Sequence, residues 1–132
     1  MESGKRLTLE ALIAKKEQRE KDKFEVQKVN VPSLDGYLEL EKIPLTRVVG
    51  LMDEANGASV SGNLAFYVDL IYACCPMLRN KELQAAYGVT EPTDIVCAVL
   101  EDNMGEISRI ASVILAMYGM SDGDDLKEVV KN

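Results

Sequence analysis

The segment from Leu64 to Cys75 constrains the fold more than any other part of the chain. Its only charged side chain is Asp69, and apolar residues fall on nearly every side of the helix that it is expected to form. A helix that is hydrophobic all round is usually buried, so the other elements must pack around it. The chain has five tyrosines, two phenylalanines and no tryptophan. Its core is therefore aliphatic, which favours helices over a β-sandwich or barrel.

Helix start and stop signals predict further helices on both sides of this segment. Thr8 is a candidate N-cap for a first helix, and Asn103 with Glu106 resembles a capping box that opens the longest one. The predicted helices after the first cover Thr46–Ala55, Leu64–Cys75, Lys81–Tyr87, Ile95–Leu100 and Gly105–Tyr118.

Between the first and second helices, β-branched and alternating residues predict a hairpin. Its strands run from Phe24 to Val31 and from Tyr37 to Ile43, and the turn residues lie between Pro32 and Gly36. The predicted fold class is mainly α with a small β-hairpin (α+β). We expect a compact bundle of about five helices, with an N-terminal helical arm and a two-stranded hairpin.

Charge divides the chain into three predicted parts. Residues 1–23 form a charged helical arm, residues 24–120 a single hairpin-plus-helices domain, and residues 121–132 a flexible acidic tail. The formal net charge is −7. Residues 1–28 nevertheless carry eight basic and six acidic side chains, against seven and sixteen in the remainder. The balance argues against nucleic acid or an anionic membrane surface as the main partner, because both select clustered Lys and Arg.

The chain lacks several residues on which catalysis commonly depends. It has no histidine, which removes the usual general base and every Ser-His or Cys-His nucleophile. Cys74, Cys75 and Cys97 lack the spacing of a zinc site and are interpreted as small buried hydrophobes. We therefore expect no catalytic residue, no metal and no cofactor. An odd cysteine count and a polar N-terminus indicate the reducing cytoplasm.

Two surfaces are candidates for binding another protein. In Gly105–Tyr118 one stripe faces the core, and it consists of Ile107, Ile110, Ala111, Ile114 and Tyr118. Apolar surface continues beyond it at Val113, Met117 and Met120. Either the hairpin and the first helix bury this second surface, or it is a docking face. In the arm, Leu9 and Leu12 lie at helical spacing, and the arm is either a solvated leader or a partner-binding element.

The order and spacing of several short segments resemble a known family. The segments are Leu70–Tyr72, Cys75-Pro76, Lys81–Gln84, Ala86–Gly88, Glu91–Val96, Leu100–Ile107 and Tyr118–Met120, together with Leu9–Glu17 and Ile43–Leu45. In this pattern the chain is similar to the XkdN-like tail assembly chaperones of contractile-tailed phages and phage-derived tail particles. These residues are caps, helix stops and core positions, so the signature is one of fold.

The resemblance implies a non-enzymatic assembly factor in the bacterial host cytoplasm. Such a factor binds the tape measure protein, keeps it soluble while tail tube subunits polymerise around it, and is absent from the finished particle. The tail tube protein and a frameshifted longer form of the chain are further implied partners, and a homo-oligomer is compatible with the hairpin edge and the spare apolar face.

Three other classes of function compete with this interpretation. A structural tail or adaptor subunit retained in the particle could have the same small fold. A small enzyme is disfavoured by the missing histidine, and a helix-turn-helix regulator by the lack of a basic recognition helix.

Overall fold

A computed structural model describes residues 6–22, 27–55 and 60–120. Within these ranges lie six α-helices and a two-stranded antiparallel hairpin, which confirms the predicted mainly α fold. The elements are α1 (Leu9–Asp22), β1 (Gln27–Val31), β2 (Gly36–Leu40), α2 (Leu45–Glu54), α3 (Val60–Cys74), α4 (Lys81–Tyr87), α5 (Asp94–Val99) and α6 (Met104–Ala116), with 3₁₀ turns at Pro32–Leu34 and Pro76–Arg79.

Helix α3 is the centre of the bundle, as its sequence predicted. It packs against α2, α5 and α6. Leu70, Ile71 and Cys74 are fully buried, and Phe66 is nearly so. At its end the guanidinium of Arg79 donates hydrogen bonds to the carbonyls of Tyr72 and Ala73, at 3.1 and 2.6 Å. These hydrogen bonds satisfy carbonyls at the end of α3, where Pro76 prevents the helix from continuing.

The hairpin is confirmed, and its second strand ends earlier than predicted. Gln27 pairs with Leu40 and Val31 with Gly36, and the buried face carries Val29, Val31 and Leu40. Strand β2 ends at Leu40 and not at Ile43, because the next amide, of Glu41, donates to the Cys74 carbonyl of α3 at 2.7 Å. The predicted start of the first strand, residues 24–26, lies outside the described residues.

Side chains of α6 fasten the hairpin to the bundle. The Ser33 hydroxyl donates to the Glu106 carboxylate at 2.6 Å, and the Arg109 guanidinium donates to the Asn30 carbonyl at 2.5 Å. Asn103 caps α6 by accepting from the Glu106 amide at 3.0 Å. The predicted capping box is thus half formed, since the Glu106 side chain accepts the hydrogen bond of Ser33.

Most of the predicted helix ends lie within one residue of the observed ones, but α3 begins at Val60, four residues before the predicted start at Leu64. Thr8 caps α1 by accepting from the Ala11 amide at 3.1 Å, and α4 has the predicted bounds, followed by Gly88 at φ 65°. Helix α6 ends at Ala116 and not at Tyr118. The chain turns there so that the Tyr118 hydroxyl reaches the backbone of Ile43. The predicted tail 121–132 lies outside the described residues, and the three-part division of the chain stays a prediction.

Candidate protein-binding surfaces

Helix α1 presents large apolar side chains to solvent. Leu9 is 71% exposed, Leu12 53% and Ile13 48%, and Leu7 just before the helix is 70% exposed. Spacings of three and four residues place Leu9, Leu12 and Ile13 on one side of the helix. We call these three residues the α1 row. Two of them, Leu9 and Leu12, are the candidates from the sequence.

Apart from Glu10 in the first turn, the charged residues of α1 follow its apolar row toward the C-terminus. Lys15, Lys16 and Arg19 lie one to two turns beyond Leu12, and Lys16 forms an ion pair with Glu20 at 2.9 Å. All residues from Leu9 to Glu20 are exposed. A short helix that buries none of its side chains from Leu9 to Glu20 is marginal in water. Docking of the α1 row on another surface would therefore stabilise the helix itself in addition to forming a contact.

The α6 candidates are half-buried. Val113, Met117 and Met120 pack against the edge of the core and keep part of their surface open. Glu106 and Val113 lie on the same flank of α6, because they are separated by two helical turns. The hairpin turn contacts this flank through Ser33. These three residues therefore offer less free apolar surface than the α1 row.

A third exposed apolar surface lies on α2, and sequence reasoning missed it. Leu45 is 52% exposed and Val49 42%, and Asp53 is exposed one turn further along. The spacing of four residues places all three on one side of the helix. We call Leu45, Val49 and Asp53 the α2 row. The fully buried Val48, about 100° around the helix from Val49, anchors an adjoining side of α2 in the core.

The end of α6 is anchored at the junction between β2 and α2. The Tyr118 hydroxyl accepts from the Ile43 amide and donates to the Ile43 carbonyl, both at 2.7 Å. Burial raises the pKa of Tyr118, and the hydrogen bond to Ile43 opposes that shift. At neutral pH the phenol is therefore protonated and can keep donating to the carbonyl. This anchor fixes where Met117 and Met120 lie relative to the core.

The three cysteines are free thiols. Cys74 and Cys75 are fully buried, as predicted, whereas Cys97 is half-buried and lies at the edge of the core. Burial raises the pKa of all three, and that of Cys75 to about 12. A thiol with a raised pKa reacts slowly because the thiolate is the nucleophile.

Maleimide labelling tests this arrangement. In the native protein at pH 7 we expect Cys97 to be labelled slowly and Cys74 and Cys75 to stay unlabelled, whereas all three react in denaturant. The count of labels per chain is read by intact-mass spectrometry. Rapid native labelling of Cys74 or Cys75 would contradict the buried placement.

The acidic and thiol side chains of the described residues do not form a cluster that could bind a metal ion. Nowhere in those ranges do three or more Cys, Asp or Glu side chains lie together as metal ligands would. Burial raises the pKa of Asp69, with a smaller contribution from the negative charge of Glu54. This carboxyl is half-buried on α3. Among the described residues it has no hydrogen-bond partner that would orient it as a catalytic acid. No described helix has the length and hydropathy needed to cross a membrane.

The geometry defines a small helical domain whose distinctive accessible features are apolar rows suited to protein contacts. The chain belongs to the phage XkdN-like tail assembly chaperones, since the model of that family matches residues 9–132. The resemblance found in the sequence is thereby confirmed, and the general role of the protein is in tail assembly. Membership of a chaperone family indicates a non-enzymatic role for the protein. Comparison with curated proteins and with solved structures found no match.

Proposed function

We propose that this chaperone binds the tape measure protein and keeps it soluble in the bacterial host cytoplasm until tail tube subunits polymerise around it. The observation that carries the proposal is the α1 row, in which three large apolar side chains are about half exposed or more. Exposed apolar residues at helical spacing are the usual means by which one amphipathic helix binds another. A tape measure protein, as a long and largely helical chain, offers such a partner along its length.

The energetics favour many copies acting together. Full burial of a leucine side chain contributes about 1.5–3 kcal/mol, so one α1 row supplies a modest contact after the entropy of association is subtracted. Multiple copies along one tape measure chain would each cover a short apolar stretch. The acidic remainder of each copy would then face solvent, and mutual repulsion would oppose aggregation of the loaded chains.

Site-specific photo-crosslinking tests the partner and the face together. A photoreactive phenylalanine analogue is placed at Leu9 or, as the matched control, at Ala11 on the other side of the same helix. We expect light-dependent adducts with the tape measure protein at position 9 and few at position 11. Equal adducts at both positions, or none with the tape measure protein, would contradict the proposal. Adducts with the tail tube protein or a frameshifted longer form would identify these as the further partners that we propose.

Val113, Met117 and Met120 are proposed as a second, smaller contact surface for the same partner. We expect Val113→Asp and Met117→Asp to fold, because both side chains are half-buried and the carboxylate can turn to solvent. Capture of the tape measure protein should fall several-fold in pull-down assays. Ala116→Asp, at an exposed position on the same helix, is the control. Unfolding of both variants would assign this surface to the core.

The retained structural or adaptor subunit remains the competing function. A chaperone leaves when the tube closes, so the protein is expected to be absent from purified tails and present in assembly intermediates. Quantitative mass spectrometry of both fractions distinguishes the two. A fixed number of copies in finished tails would favour the retained subunit.

A further inference from the structure

One edge of the α1 row carries basic side chains. Lys15 and Arg19 follow Leu12 by three and seven residues, and these helical spacings place them along the same edge as Leu12. Both are exposed, and neither forms an ion pair with a described residue. We call Lys15 and Arg19 the basic flank. A groove opens along this edge, and it is lined by Leu7, Leu12, Lys15, Lys16, Arg19 and Glu20.

The other edge of the α1 row carries acidic side chains. Glu10 precedes Ile13 by three residues and Glu17 follows it by four, which places both along the Ile13 edge. Both are exposed and form no ion pair within the described part of the chain. We call Glu10 and Glu17 the acidic flank. The ion pair between Lys16 and Glu20 involves neither flank.

We infer that α1 binds helical segments of the tape measure protein in one direction, which the two flanks select. The inference rests on the proposed function, because the client is the same. A client helix on the α1 row gains attraction on both edges when its acidic side faces the basic flank and its basic side faces the acidic flank. Turning that client end for end exchanges its two sides, so like charges then face each other along both edges. Repulsion thus selects against the reversed direction.

The flanks also define the chemistry of the client. It is an amphipathic helix with acidic residues along one side of its apolar stripe and basic residues along the other. A single exposed ion pair contributes little, because water and salt screen it. Reversal of the client, however, changes the contacts of four charged side chains from attraction to repulsion. We therefore expect a preference of about tenfold for one direction at low salt.

A fixed direction has a consequence for a client that is coated by many copies. Every copy would point the same way along the tape measure protein. Tail tube subunits that advance from one end would then meet the same surface on each copy. A helix with the same charge on both edges would bind an oppositely charged client equally well in either direction, and this order would be lost.

Photo-crosslinking from both ends of α1 reads the direction of the client. A photoreactive phenylalanine analogue replaces Leu9 in one preparation and Glu20 in another, at exposed positions about 16 Å apart along the helix axis. The client is the shortest fragment of the tape measure protein that the full-length chaperone still captures, and its adducts are mapped by mass spectrometry. We expect position 9 to label one end of the fragment and position 20 the other, with about nine in ten adducts in this order, as a tenfold preference requires.

The pattern of adducts separates this inference from the proposed function. Adducts from each position at both ends of the fragment would overturn the inference and leave the proposed function intact. If neither position gives adducts with the fragment or with the whole tape measure protein, both are overturned.

Exchanging the charges of the two flanks should turn the client around. The variant keeps the net charge and the α1 row, and it carries Glu10→Lys, Lys15→Glu, Glu17→Lys and Arg19→Glu. We expect the order of adducts from positions 9 and 20 to be reversed. Ala11→Glu with Ala14→Lys is the matched control, because it adds opposite charges on the side of α1 that faces away from the row. The control should keep the original order, and an unchanged order in the flank variant would overturn the inference.

Discussion

Replacing Ile110 by aspartate is expected to unfold the domain. Ile110 lies on α6 at zero exposure, and α6 is packed against the central helix α3. A carboxylate there would be buried without a partner, and a change of this kind costs about 4–5 kcal/mol or more. Domains of this size are stable by only about 5–15 kcal/mol, so most or all of the stability would be lost.

Circular dichroism and thermal unfolding measure the effect of Ile110→Asp. We expect loss of the cooperative transition, with most of the protein in the insoluble fraction. Ile71→Asp on α3 should behave alike, because Ile71 is also fully buried. Ala116→Asp introduces the same charge at an exposed position of α6 and should keep the transition. A soluble and cooperatively folded Ile110→Asp protein would show that the assignment of the α6 face is wrong.

The double variant Leu9→Asp and Leu12→Asp is expected to abolish capture of the tape measure protein without unfolding the domain. Both side chains are more than half exposed, and exposed substitutions usually change stability by less than about 0.5 kcal/mol. Binding would lose the burial of two leucines and would place two carboxylates in an apolar contact. We expect at least a hundredfold weaker capture, equivalent to about 2.7 kcal/mol.

Pull-down with tagged protein, read together with thermal unfolding, separates binding from folding. Ala11→Asp with Ala14→Asp is the matched control, since it adds the same charge to other sides of the same helix. Its capture should stay within a few-fold of the original. Equal loss in both double variants would indicate that helicity or charge of the arm matters and not the α1 row.

The central position of α3 could be predicted because it follows from the residues of that helix alone. Leu64–Cys75 is apolar on nearly every side, and such a helix has no stable position except the interior. The ends of β2 and α6 could not be predicted in the same way. The end of β2 depends on the hydrogen bond from the Glu41 amide to the Cys74 carbonyl. The end of α6 depends on the hydrogen bond between the Ile43 amide and the Tyr118 hydroxyl. Both bonds join residues that are far apart in the chain.

The candidate surfaces were predicted unevenly for the same reason. Leu9 and Leu12 lie just before the charged run Lys15–Lys23, which has no apolar side chain to continue a buried face, so their exposure follows from the arm's own sequence. The exposure of Val113 and Met117 depends on where the hairpin lies, and Ser33 contacts α6 through Glu106. In α2, the consecutive Val48 and Val49 gave no sign of which would be buried. The structure buries Val48 and exposes Val49.

Co-expression with the tape measure protein of the same phage tests the central claim most directly. The measurement is the soluble fraction of the tape measure protein, followed by size-exclusion chromatography. With the chaperone present we expect the tape measure protein to be soluble and to elute with several copies of this chain, and without it to be insoluble. A tape measure protein that stays insoluble while the folded chaperone elutes alone, even when any longer frameshifted form is supplied, would contradict the account.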